Sequence, residues 1–123
     1  MENFELQFLA GTALFAISII SGNVLHKKGI PYKPALLSVH KFLSLGSILL
    51  IAMAMVSYYK IAANSSTTII LALPTFFFVL GALVSGGIMS HKNKEEKLML
   101  KLHQISTIGI LMLMVTMVLV HIR

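Results

Sequence analysis

The sequence predicts an all-α integral membrane protein, an up-down-up-down four-helix bundle built from two repeated helical hairpins. Of its 123 residues, 57% are hydrophobic and only 11% are charged, whereas roughly 25% of residues are charged in an average soluble domain. Four apolar runs reach the roughly 20 residues that a membrane-spanning helix needs. They cover approximately residues 6–25, 35–59, 67–90 and 98–122. We therefore expect residues 1–123 to form a single transmembrane domain.

The first predicted hairpin joins two helices through a short basic connection. Helix 1 carries small residues towards its end, including Ser21 and Gly22, which is typical of a helix that a neighbour approaches closely. Pro34 suits the first turn of helix 2, because proline needs no backbone hydrogen bond there. Helical spacing from His40 predicts one stripe along helix 2. The stripe contains Ser44, Ser47, Ile51, Ala54 and Tyr58.

The second predicted hairpin has the same plan. Pro74 falls in the first turns of helix 3, where proline favours a kink. A seam of small residues follows at Gly81, Ser85, Gly86 and Gly87. In helix 4, the spacing from His103 predicts a stripe of Ser106, Thr107, Ile110, Met114 and Met117. His121 returns to the same face at the far end of that helix.

Matching unusual residues indicate an internal repeat of about residues 4–60 and 67–123. Ser21-Gly22 parallels Ser85-Gly86, and in each half a histidine is followed four residues later by a hydroxyl residue and six residues later by a glycine. These triplets are His40, Ser44 and Gly46, and His103, Thr107 and Gly109. Two hairpins in the same orientation would be related by an axis along the membrane normal.

The charges predict the orientation in a plasma membrane. Eight lysines lie in or beside the connections at 26–41 and 91–101, against Lys60 and Arg123 on the other side. Basic loops face the cytoplasm, so we expect both termini outside. The charge is explained by topology and membrane lipid, and a nucleic-acid partner is not expected because no soluble face remains. The sequence contains no cysteine, which excludes thiolate metal sites and covalent haem attachment.

His40 and His103 are the candidate ligands of a cofactor. Each begins a long apolar run, and an ionisable residue inside a membrane indicates function. Helices 2 and 4 run in the same direction, so the two imidazoles should face each other across the bundle and hold one non-covalent haem b. Gly22, Gly86 and Gly87 would wall the ring, with Ser44 and Thr107 nearby. The second imidazole nitrogen should donate to a carbonyl or hydroxyl, and the carbonyls of Leu36 and Met99 are the expected acceptors.

His26 and His91 end the two helices that carry no proposed ligand. We interpret them either as partners of the haem propionates or as interfacial residues. In a competing arrangement, a cluster of four histidines holds copper, zinc or another ion. In the plainest one, all the histidines are only interfacial.

The paired histidines in a four-helix membrane core resemble the b-type cytochromes of the cytochrome b561 kind. The resemblance implies electron transfer more than catalysis by this chain alone, with a redox protein or quinone as partner. The family core binds two haems, whereas His121 has no partner histidine on its side, so one haem is expected. The alternatives are a small transporter or channel, and a non-catalytic subunit of a larger membrane complex or homo-oligomer. Helix 1 lacks the acidic residue on which small multidrug exporters depend.

Overall fold

A computed structural model describes residues 3–61, 66–92 and 96–121, apart from the side chains at positions 61, 68 and 121. These ranges form four α-helices, α1 (Asn3–Lys28), α2 (Pro34–Ile61), α3 (Ser66–His91) and α4 (Lys97–His121). All four are long and apolar enough to cross a membrane. The predicted all-α fold with four membrane-spanning helices is confirmed.

The connection between α1 and α2 ends one helix and starts the next within a few residues. Gly29 has a positive φ of 75°, and its backbone N–H donates to the carbonyl of His26 at 3.1 Å. A glycine in the left-handed region is a common helix stop, because it turns the chain and satisfies a terminal carbonyl. As predicted, Pro34 opens α2. In the second half of the chain, α3 continues through Pro74.

The chain divides into two compact units, Met1–Thr68 and Ile69–Arg123, called unit 1 and unit 2 below. In unit 1, α1 and α2 are antiparallel, since Gly11 contacts Ile51 and the Phe4 ring lies tilted against that of Tyr58, with ring centroids 5.6 Å apart. A Cβ at Gly11 would lie 2.9 Å from Ile51 Cγ1. Glycine is therefore what permits this close helix contact.

In unit 2, α3 and α4 are also antiparallel. A Cβ at Gly109 of α4 would lie 2.8 Å from the Phe78 ring of α3, and one at Gly81 of α3 would lie 2.7 Å from Ser106 Oγ of α4. The glycines thus receive side chains from the opposite helix, as close-packed membrane helices do. In both units, a glycine on one helix thus accommodates a side chain of the neighbouring helix, although the side chains differ.

Burial follows the stripes predicted from helical spacing. On α2, Ser47, Ile51 and Ala54 are buried, and on α4 the buried residues are Ser106, Ile110, Met114 and Met117. The large apolar side chains on other faces are exposed, including Phe42, Leu49, Ile70 and Met112. A helix that is apolar all round fits hydrocarbon rather than water. These surfaces are suited to contact with membrane lipid.

Candidate functional site

In unit 1, His40 of α2 is held against the backbone of α1. Its Nδ1 lies 3.1 Å from the carbonyl oxygen of Ser18 and 3.0 Å from Ser21 Oγ. A carbonyl oxygen can only accept, so Nδ1 carries the proton and donates it. The Ser21 hydroxyl donates to the same Ser18 carbonyl at 2.7 Å, which leaves Ser21 Oγ as a second acceptor for Nδ1–H. In the neutral imidazole, Nε2 is then the unprotonated nitrogen, the form that binds metals.

In unit 2, His103 of α4 is held against α3 in the same way. Its Nδ1 lies 3.0 Å from the carbonyl oxygen of Ala82 and 3.2 Å from Ser85 Oγ. The Ser85 hydroxyl donates to the Gly81 carbonyl at 2.6 Å and accepts from Nδ1–H. The proton is again fixed on Nδ1, and Nε2 is again unprotonated in the neutral ring.

The two arrangements, each called a histidine clasp below, use residues at matching positions. Ser21 and Ser85 are 64 positions apart, as are Ser18 and Ala82, while the two histidines are 63 positions apart. In both clasps the acceptor carbonyl belongs to the neighbouring helix, rather than to Leu36 or Met99 of the histidine's own helix. The physical reason is the glycine beside each ring, which lets the imidazole reach the opposite backbone.

Gly22 and Gly86 lie directly against the two imidazoles. A Cβ at Gly22 would be 2.9 Å from His40 Cε1, and one at Gly86 would be 3.0 Å from His103 Cε1. Gly87 differs from both, since it is exposed and a Cβ there would meet nothing within 4 Å. Of the three glycines predicted to wall a cofactor, the structure places two against the histidines and one beside open space.

The hydroxyl residues that follow the histidines have different contacts in the two units. Ser44 Oγ donates to the His40 carbonyl at 2.7 Å and accepts from Ser18 Oγ, which joins α1 to α2. Thr107 Oγ1 donates to the Gln104 carbonyl of its own helix at 2.9 Å, and Ala82 replaces the serine that would reach it. Ser44 thus belongs to the clasp of unit 1, whereas Thr107 caps a carbonyl within α4.

His26 and His91, called the rim histidines below, are more exposed to solvent than the two histidines of the clasps. His26 and His91 lie in the last turns of α1 and α3 and are exposed, whereas His40 and His103 are half-buried. Among the described residues, no three His, Asp or Glu side chains form a metal-binding group. His121 ends α4, and its side chain lies outside the described part of the chain.

Comparison of this chain with protein-family models, with curated protein sequences and with solved structures finds no match. The resemblance to b561-type cytochromes therefore stays an interpretation of the sequence.

Proposed function

We propose that this chain is a membrane b-type cytochrome or electron-transfer subunit, with His40 and His103 as the axial ligands of one non-covalent haem b. The observation that carries the proposal is the recurrence of one clasp on both histidines. In each, Nδ1–H donates to a carbonyl of the neighbouring helix. A metal-binding histidine characteristically donates its other N–H in this way, which fixes the tautomer and the ring orientation.

The clasps supply two properties that an iron ligand needs. The hydrogen bond to the carbonyl makes Nε2 a better electron donor, because it draws the Nδ1 proton away from the ring. The hydroxyls of Ser21 and Ser85 share that proton and limit rotation of the imidazole. Ligands that are oriented in advance lose less conformational entropy when they bind.

The bound haem would supply one-electron chemistry, as b-type centres do. With an imidazole on each face of the iron, both axial positions are filled, which favours electron transfer over oxygen chemistry. His26 and His91, with the neighbouring lysines, are the proposed partners of the propionates, and Gly22 and Gly86 act through the imidazoles that they contact. The electron donor or acceptor would be a redox protein or a quinone.

An absorption spectrum tests the proposal directly. We expect the protein, purified from cells supplied with a haem precursor, to show the bands of a low-spin b-type haem that sharpen when dithionite is added. The pyridine haemochrome assay should give one haem per chain. The proposal would be contradicted if the purified, folded chain showed no low-spin b-type bands after haem is added and the unbound haem is removed.

We further propose that the basic connections face the cytoplasm and that both termini lie outside. The chain has no cysteine, so Asn64→Cys and Asn93→Cys each introduce a single reactive thiol. Both positions lie outside the described residues, in the two connections of opposite predicted sidedness. We expect an impermeant thiol reagent to label Asn64→Cys in intact cells and Asn93→Cys only after permeabilisation. Labelling of Asn93→Cys in intact cells would reverse the orientation.

A further inference from the structure

We propose that Ser18 is a positioning residue of the clasp in unit 1, and that it fixes the His40 imidazole more firmly than the His103 imidazole is fixed in unit 2. Ser18 offers two groups to α2. Its carbonyl accepts from His40 Nδ1–H at 3.1 Å, and its hydroxyl is hydrogen-bonded to Ser44 Oγ. The consequence for the haem ligands rests on the proposed function, whereas the positioning is a property of the chain alone.

The direction of the bond between the two hydroxyls follows from their other partners. Ser44 Oγ donates its single proton to the His40 carbonyl at 2.7 Å, so it accepts from the Ser18 hydroxyl. The result is a closed ring of hydrogen bonds. It runs from His40 Nδ1 to the Ser18 carbonyl, and from the Ser18 hydroxyl through Ser44 back to the His40 carbonyl. One residue of α1 therefore holds both the imidazole and the backbone of His40.

The hydrogen-bonded ring lies in surroundings where such bonds persist. Ser18 is only 3% exposed, and the interior of a membrane has no bulk water that competes for polar groups. A side-chain hydrogen bond between membrane helices is worth about threefold in an equilibrium constant on average, and up to about twentyfold. The Ser18 hydroxyl should therefore lower the fraction of open clasps in unit 1 by that factor.

The matching position in unit 2 is Ala82, which has no hydroxyl. The Ala82 carbonyl still accepts from His103 Nδ1–H at 3.0 Å, but Thr107 Oγ1 donates to the Gln104 carbonyl of its own helix. Ala82 thus supplies the carbonyl half of the arrangement without the hydroxyl half. Of the two proposed ligands, His40 should be the firmly held one, and His103 the one that a small external ligand such as carbon monoxide displaces.

Exchange of the imidazole N–H protons with solvent measures the positioning in the cofactor-free protein. An Nδ1–H exchanges when its clasp opens, so NMR of the full chain with isotope-labelled histidine in lipid nanodiscs reports on each clasp separately. We expect slower exchange at His40 than at His103. Ser18→Ala keeps the carbonyl and removes the hydroxyl, so it should speed exchange at His40 by about threefold to twentyfold and leave His103 unchanged.

The matched control is Ser47→Ala. Ser47 is also a buried serine of unit 1, but its hydroxyl donates to the Ser44 carbonyl within α2 at 2.8 Å, so its loss should not change exchange at His40. Ser44→Ala breaks the ring at its middle and replaces Ser18→Ala if that variant does not fold. Adding Ser18→Ala to it should have no further effect. An unchanged rate at His40 in Ser18→Ala, an equal acceleration at His103, or faster exchange at His40 than at His103 in the wild type would overturn the assignment.

Haem retention tests the consequence for the ligands separately. His103→Ala leaves the firmly held His40 and should bind haem about threefold to twentyfold more tightly than His40→Ala. Adding Ser18→Ala to both variants should remove the difference. Equal haem affinity in the two histidine variants would show that Ser18 does not distinguish the ligands. If the wild type takes up no haem, the proposed function fails, while the exchange rates still decide the role of Ser18.

Discussion

Replacing His40 or His103 by alanine should remove the haem from the purified protein or leave a five-coordinate high-spin centre that binds carbon monoxide. The physical reason is that each clasp presents one imidazole, and the neighbouring serines have no nitrogen to take its place. Loss of a group that merely orients a ligand costs about 10–100-fold in metal affinity. Loss of the ligand itself should therefore cost more than about 100-fold. Absorption spectra of the oxidised, reduced and carbon monoxide-treated protein measure all three outcomes.

The matched controls are the histidines outside the clasps. His26→Ala, His91→Ala and His121→Ala should keep the low-spin spectrum, with at most a shift in reduction potential, because a propionate partner changes the charge near the haem without ligating iron. The assignment would be wrong if His40→Ala and His103→Ala kept an unaltered low-spin spectrum. Loss of that spectrum in His26→Ala or His91→Ala would instead identify the rim histidines as the iron ligands.

The helices and their buried stripes were predictable because they depend on spacing along one chain segment. His103 predicted the face of α4 that carries Ser106, Ile110 and Met114, and all three are buried. A period of 3.6 residues places these side chains together whatever the neighbouring helix is. The same local rule predicted Pro34 at the start of α2. Neither result needed knowledge of how helices pair.

The clasps were less predictable because their acceptors are backbone carbonyls of another helix. Every residue has the same backbone carbonyl whatever its side chain, so nothing in the sequence marks Ser18 and Ala82 as the acceptors. The available signal was the recurrence of Ser-Gly before each histidine, at 21–22 and 85–86. This recurrence predicts small residues beside a cofactor, and the structure adds that each serine hydrogen-bonds the imidazole and each glycine makes room for it.

Gly86→Ala should weaken haem binding, while Gly87→Ala, one residue along the same helix, should not. A methyl group at Gly86 would lie 3.0 Å from His103 Cε1, whereas one at Gly87 would meet nothing within 4 Å. The imidazole can retreat only by lengthening its hydrogen bonds to Ala82 and Ser85, which removes the fixed orientation. We expect a loss of about 10–100-fold in haem affinity for Gly86→Ala. Titration of the purified protein with haem measures it.

Unit 1 offers an independent matched pair for the same argument. A methyl group at Gly22 would lie 2.9 Å from His40 Cε1, whereas one at Gly46 would make an ordinary contact with Leu14 at 3.9 Å. Replacing glycine by alanine inside a helix is favourable by about 1 kcal/mol in both cases, so thermal unfolding should show Gly46→Ala at least as stable as the wild type. Gly22→Ala should lose haem affinity even if its helices stay folded, because the added methyl group displaces the His40 imidazole without disrupting the helix backbone. Equal haem affinity in Gly22→Ala and Gly46→Ala would mean that the clasp does not position the ligand.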